Sequence, residues 1–187
     1  MTITAPKLDV MGSACRCIIC HDYGDRDRLG NSELRTIVHV KEYGWSVVLI
    51  APRDGLPGWA FTTGLWHSHR SPELAVFGLE PYDMQTIVNN LGDHAAAGRP
   101  LTAGQERRDA TERHAVLLRP IHDRWYDRLL VEALRFYRRP PLPFLQVVWP
   151  DEGGRYPWQS GSDPRLSAAQ PSLWLSPDTH PRGSWTS

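Results

Sequence analysis

The sequence predicts an α+β domain, a mainly antiparallel sheet of about five strands with two or three packed helices. Two observations lead to this class. Short runs of β-branched and aromatic residues recur along the chain, separated by turns that contain proline and glycine. Longer segments between some of these runs carry apolar residues at helical spacing. The length of 187 residues suits one such domain with terminal extensions.

Five runs are short, apolar and bounded by turn residues, which is the pattern of buried strands. They cover residues 45–51, 59–66, 73–79, 114–121 and 144–149. The second and third runs are separated only by the sequence HSHRSP, so we expect these two strands to be neighbours in a hairpin. Two prolines and two glycines separate the first run from the second and predict a turn there.

Three longer segments predict helices, over residues 31–43, 81–97 and 123–139. Asn31 or Ser32 can cap the first helix, and a glycine follows its last residue. The second begins with a proline, which suits the first helical turn, and also ends before a glycine. The third is the most amphipathic segment of the chain.

The ends of the chain have a different composition from the centre. Residues 1–14 show no periodic pattern and are expected to form a flexible N-terminal arm. Residues 15–158 then form the single domain. Residues 159–187 are a tail that contains proline, serine and tryptophan, which we expect to be partly disordered and anchored near Trp158 and Trp174.

Charge and composition exclude several classes of function. The chain has 21 basic and 21 acidic residues, so it lacks the basic character of a nucleic-acid-binding protein, and nucleic acid is an unlikely partner. No apolar run is long enough for a membrane helix, and no secretory signal is recognisable, so we expect a cytoplasmic protein. Glycine-rich phosphate-binding motifs are absent, so no nucleotide cofactor is indicated.

A cysteine cluster near the N-terminus carries the strongest chemical signal. Three cysteines within six positions do not resemble a secreted disulfide framework. Zinc prefers tetrahedral thiolate and imidazole ligands, and a Cys-x-x-Cys spacing lets two sulfurs reach one ion. The predicted metal ligands are Cys15, Cys17, Cys20 and His21. A redox pair and simple reduced thiols remain alternatives.

The segment that follows the second predicted strand could carry a different chemistry. His67 or His69 could act as a base, with Arg70 binding an anion and Glu73 orienting the base, as in a small-substrate hydrolase or transferase. The same two histidines are candidates for the remaining ligand of the cysteine site. No nucleophile-elbow motif accompanies them, and a polar hairpin loop is the alternative.

Two further features suggest a binding function. The eight tryptophans could line a ligand cleft, although core packing explains most of them equally well. Arg135, Arg138 and Arg139 close the third predicted helix. They could form a docking surface of an immunity-type or regulatory module. Alternatively, they could be solvated side chains whose positive charge complements the negative C-terminal end of the helix dipole. The sequence does not specify whether the partner is a protein or a small molecule.

Several stretches of the chain resemble a known family. They are CRCIIC, YGWSVVLI at 43–50, PGWAFTTGLWHSHRSPELAVFGL at 57–79 and FLQVVWPDEGGRYPW at 144–158. The chain resembles the bacterial domain of unknown function 4262 family. Many members begin with a Cys-x-x-Cys that Cys17 and Cys20 match, and this resemblance favours a metal or redox role. The family commonly has a histidine at the position of Ser71, and this departure weakens a catalytic role for the loop.

These observations lead to one main hypothesis. It is a cytosolic accessory or binding protein in which a structural zinc, held by the cysteines, supports the N-terminal segment. The small-substrate enzyme and the partner-binding module remain the alternatives.

Overall fold

The computed structural model describes residues 15–112, 114–138 and 142–186. The predicted flexible arm, residues 1–14, lies outside the described residues. Within them, six strands form one sheet: β1 Ser46–Ile50, β2 Trp59–Thr63, β3 Glu73–Phe77, β4 Glu106–Arg107, β5 Val116–Pro120 and β6 Phe144–Val148. The same residues form six α-helices: α1 Asn31–Tyr43, α2 Leu65–His69, α3 Pro81–Ala96, α4 Tyr126–Leu129, α5 Val131–Tyr137 and α6 Arg165–Ala169. None of these helices is long and apolar enough to cross a membrane.

The strand order in the sheet is β1-β2-β3-β6-β5-β4. The α+β class is therefore confirmed, and β2 and β3 are antiparallel neighbours as expected. The described sheet is mainly antiparallel, as predicted, but it has six strands rather than about five, and one pair, β3 with β6, is parallel. The additional strand, β4, spans two residues and is too short to produce a sequence pattern. The parallel pair joins strands far apart in the chain, which local periodicity does not reveal.

Side chains alternate between the two faces of the sheet, and both faces are covered. On β3, Leu74 and Val76 belong to the core that contains the apolar face of α3. Ala75 and Phe77 belong to the opposite core, which contains α4 and α5. Cys17 lies in this second core and is fully buried. The cysteine segment therefore packs on the sheet face opposite α3.

Two predicted elements are divided or replaced in the structure. The predicted helix over 123–139 consists of a 3₁₀ turn at Asp123–Trp125 followed by α4 and α5, with Leu130 between the two helices. The Leu129 carbonyl accepts a hydrogen bond from the Trp59 indole N–H at 3.0 Å, so it serves a tertiary contact at the point where the helix is interrupted. The predicted polar hairpin loop folds instead as the short helix α2, which places its histidines on different sides.

The first helix has the predicted bounds, but its cap differs. Gly30, rather than Asn31 or Ser32, occupies the capping position. Its backbone N–H donates to the Glu33 carboxylate at 2.8 Å. The Glu33 side chain, from inside the helix, therefore satisfies the backbone N–H of the capping residue.

The segment predicted as a partly disordered tail packs on the domain through a tryptophan that the sequence did not single out as an anchor. The Trp185 side chain is buried, with its ring 5.5 Å from that of Phe77 and 6.4 Å from that of Trp59. Its indole N–H donates to the Ala168 carbonyl at 3.1 Å. Trp158, an expected anchor, is 46% exposed, and its ring stacks on that of Tyr156 at 5.2 Å.

Candidate metal centre

A backbone hydrogen bond attaches the cysteine segment to α5. The Ile18 N–H donates to the Phe136 carbonyl at 2.9 Å, and the His21 N–H donates to the Cys17 carbonyl at 3.0 Å, which closes a turn. The three sulfurs differ in exposure along this turn. Cys17 is buried in the core, Cys15 is half-buried and Cys20 is exposed. The turn gathers the cysteines on one side, facing α2.

His67 of α2 completes a compact group with the three cysteines. Its Nδ1 lies 3.3 Å from the sulfurs of Cys17 and Cys20 and 3.8 Å from that of Cys15. The four ligand atoms all lie within 4.8 Å of one another. A tetrahedral zinc ion with Zn–S near 2.3 Å and Zn–N near 2.0 Å would separate sulfur and nitrogen ligands by about 3.6 Å. The observed spacing therefore fits one tetrahedral ion.

The other candidate histidines lie elsewhere. His21 is exposed, and its ring contacts that of Tyr23 at 4.6 Å, so the structure does not bring it into the four-atom group. His69 lies two residues beyond His67 on α2 and therefore points to another side of the helix. Its ring is 6.0 Å from that of Trp45. Of the histidines proposed from the sequence, His67 is the one that meets the cysteines.

Hydrogen bonds distribute charge unevenly among the thiols. The pKa of Cys15 is lowered to about 3, mainly because the Cys17 thiol donates a hydrogen bond to the Cys15 sulfur. The pKa of Cys17 is raised by the same bond and by burial, and burial raises the pKa of Cys20. This hydrogen bond favours negative charge on Cys15 over Cys17. A bound dication would supply the positive charge that lets the other two thiols ionise as well.

A buried carboxylate lies directly beneath α2. Glu73 is fully buried and accepts hydrogen bonds from the backbone N–H groups of Gly64 at 2.9 Å and Trp66 at 3.0 Å. The Thr62 hydroxyl donates to its other oxygen at 2.6 Å. Burial raises the pKa of this carboxyl, although the hydrogen bonds oppose the shift. Glu73 therefore satisfies the start of α2 rather than orienting an imidazole.

Tyr137 of α5 extends this support to the histidine that faces the cysteines. Its hydroxyl donates to Glu73 and accepts from the backbone N–H groups of Gly64 at 3.1 Å and His67 at 3.3 Å. Burial, followed by the nearby charge of Glu73, raises the pKa of Tyr137 well above its usual value. Sequence reasoning missed this residue because, within a helical pattern, it appears only as part of the apolar stripe.

A glycine makes the sharp passage from β2 into α2. Gly64 has a φ of 118°, which L-residues with a side chain rarely adopt. A Cβ atom at this position would lie 2.6 Å from Cγ2 of Val40 and 3.0 Å from the Gly44 carbonyl oxygen. Glycine is required here on both grounds, and the turn it allows aims α2 toward the cysteines.

The proposed catalytic group is not assembled around one point. His67 faces the cysteines, His69 contacts Trp45, and Glu73 is sealed beneath α2. The exposed Arg70 lies over the Trp66 ring, 5.9 Å from its centroid, and donates to the Trp66 carbonyl at 3.4 Å. These positions give no common location for a base, an anion-binding group and an orienting carboxylate.

Arg135 and Arg138 of the proposed docking surface differ in their contacts. Arg138 forms an ion pair with Asp25 at 2.8 Å and lies over the Tyr23 ring, so it ties the segment after the cysteines to α5. Arg135 is exposed, and Arg139 lies outside the described residues. The helix end therefore serves an internal contact as well as a surface.

The fold and the cluster define an α+β domain with a Cys₃His group on one face of its sheet. Comparison with protein families gives a match to the Domain of unknown function (DUF4262) over residues 39–163, and the chain belongs to this family. The matched residues contain His67, Glu73 and Tyr137 but begin after the three cysteines. Neither the curated proteins nor the solved structures gave a match.

Proposed function

We propose that Cys15, Cys17, Cys20 and His67 bind one zinc ion, and that the protein is an accessory or binding protein in which this ion has a structural role. The observation that carries the proposal is the position of His67, whose Nδ1 faces three sulfurs from a segment about fifty residues away. Three thiolates and an imidazole in tetrahedral spacing favour zinc over magnesium or calcium, which prefer oxygen ligands.

The number of ligands supports a structural role. Four protein side chains complete a tetrahedral shell, whereas a catalytic zinc keeps one position open for water or substrate. The ion would join the cysteine segment to α2, and α2 is itself fixed by Glu73 and Tyr137. Zinc would therefore hold the N-terminal segment against the core that contains Cys17.

The test is the metal content of the purified protein, combined with replacement of single histidines. We expect one zinc per chain in the wild type and in His21→Ala and His69→Ala, which serve as matched controls. His67→Ala should reduce zinc affinity by at least tenfold, because it removes a ligand. Cobalt substitution gives a second readout, since the absorption bands of thiolate-bound Co²⁺ should change in His67→Ala alone.

Two results would contradict the proposal. One is wild-type protein that takes up no zinc when refolded with the ion present and its thiols reduced. The other is a loss of zinc in His21→Ala with full retention in His67→Ala, which would return the fourth ligand to the position next to the cysteines in the sequence.

A further inference from the structure

The three ligand sulfurs are not equivalent in their surroundings. Cys17 is fully buried and Cys15 is half-buried, while Cys20 is exposed. An incoming small molecule can therefore reach the Cys20 sulfur without displacing any part of the core.

The sulfurs also differ in their packing. Cys17 belongs to the core that contains α4 and α5, and Cys15 packs against this core. Apolar side chains therefore shield these two residues, whereas Cys20 is exposed to solvent.

The net charge of the loaded site favours reaction at sulfur. Three thiolates, one neutral imidazole and one Zn²⁺ ion sum to a charge of about −1. The sulfurs would already be deprotonated at neutral pH, so attack on an electrophile would need no base. Loss of one negative charge would leave the site neutral.

We infer that Cys20 is a modification site at which the ligand sulfur takes up an alkyl group from soft carbon electrophiles. This inference rests on the proposed zinc site. The substrate class is a small molecule with a saturated carbon that carries a good leaving group, such as a halide or a sulfonate. The S–C bond forms from a sulfur lone pair, and the leaving group departs with the electron pair of the bond that breaks. No proton, oxidant or reductant is involved.

Alkylation changes Cys20 from a thiolate to a neutral thioether, which is a weaker zinc ligand. The three remaining ligands, including the buried Cys17, would still hold the ion but with lower affinity. Alkylation of Cys20 would therefore weaken the attachment of the N-terminal segment to the domain.

The test is competition among the three cysteines in the full-length, zinc-loaded protein. The protein is treated with less than one equivalent of iodoacetamide at neutral pH, digested with trypsin and mapped by tandem mass spectrometry. Cleavage after Arg16 separates Cys15 from the peptide that contains Cys17 and Cys20. We expect at least ten times more label on Cys20 than on either other cysteine. Equal labelling, or a preference for Cys15, would overturn the inference.

The control is the same reaction on protein unfolded in urea with a chelator. There the three thiols should react within about threefold of one another, because the site that distinguishes them is lost. An unchanged preference for Cys20 would show that the local sequence causes it and would also overturn the inference. Zinc is counted in parallel, so absence of the ion counts against the proposed function, whereas uniform labelling of a fully loaded site counts against this inference alone.

Discussion

The Tyr137 hydroxyl donates a hydrogen bond to the Glu73 carboxylate inside the core, and this bond links α5 to β3 beneath α2. Between them the two side chains accept the backbone N–H groups of Gly64, Trp66 and His67. The position of His67, the candidate metal ligand, is therefore supported by a buried pair that does not itself contact the cysteines.

Replacing Tyr137 with phenylalanine tests this support. Tyr137→Phe leaves the His67 N–H without its acceptor and Glu73 without one donor, so we expect a loss of about 2 kcal/mol in the free energy of unfolding. Zinc affinity should fall about tenfold or more, as is typical when an outer-shell partner is removed. Urea denaturation and competition with a chromogenic chelator measure the two effects.

Tyr126→Phe is the matched control for this prediction. Tyr126 is also buried, but its hydroxyl accepts from the Phe144 N–H and donates to the Ile121 carbonyl. Tyr126→Phe should lower the free energy of unfolding and leave zinc affinity unchanged. Equal losses of zinc affinity in the two variants would show that Tyr137 acts only through general stability.

Glu73 predicts a specific dependence of stability on pH. Its pKa is raised in the folded protein, mainly by burial, so the native state holds the proton more firmly than the unfolded chain does. The resulting stabilisation is complete below the ordinary carboxyl pKa of about 4.3 and is lost as the pH rises through the higher folded value.

Glu73→Gln does not titrate and should remove this dependence. Its amide can donate to the Thr62 hydroxyl while its oxygen keeps the donors from α2 and Tyr137. The stability of the wild type minus that of Glu73→Gln, measured by urea denaturation, should therefore decrease from pH 4 upward. A difference that stays constant or increases with pH would contradict the assignment.

Gly64 predicts a severe effect of the smallest side chain. In Gly64→Ala the new Cβ would meet Val40 and the Gly44 carbonyl, in addition to the strain of a positive φ. We expect a loss of more than about 3 kcal/mol, measured by thermal or urea unfolding. Gly98→Ala is the control, since Gly98 also has a positive φ but open space around it, and should cost about 1 kcal/mol. Similar losses in both variants would rule out the steric argument.

Trp158, just before the tail, and Trp185, near its end, should differ sharply in their contribution to stability. Trp185→Ala removes a buried ring that packs on Trp59 and Phe77, so we expect a loss of about 3 to 5 kcal/mol. Trp158→Ala removes a ring that is nearly half exposed and should cost less than half as much. Chemical denaturation of the two variants decides the matter, and equal losses would mean that Trp185 is not the main anchor.

Sequence reasoning worked where structure is determined locally. The segments around β1, β3, β5 and β6 have the β-branched, turn-bounded pattern of strands, and α1 and α3 have clear start and stop signals. The parallel pairing of β3 with β6 and the interruption at Leu130 depend on contacts with distant residues, such as the bond from Trp59 to the Leu129 carbonyl. No local pattern encodes such contacts.

At the candidate site, too, the sequence identifies residues that are neighbours in the chain better than residues that the fold brings together. Cysteine spacing alone brings Cys15, Cys17 and Cys20 to notice, because the three residues are neighbours in the chain. It also suggests His21, the nearest histidine, whereas the fold brings His67 to the sulfurs. The supporting role of Tyr137 requires knowledge of where α5 lies relative to α2, so no sequence motif could have identified it.

His67 and Cys17 are separated by 50 positions in the chain, and a shared ion would act as a cross-link between them. Closing a loop of this length removes conformational entropy from the unfolded chain worth about 4 kcal/mol on the chain-entropy model for disulfides. The closed loop contains α1 together with β1 and β2, the two strands at one edge of the sheet. Even when this edge opens, its strands would remain tethered near their partners, which favours rapid reclosure over pairing with another molecule.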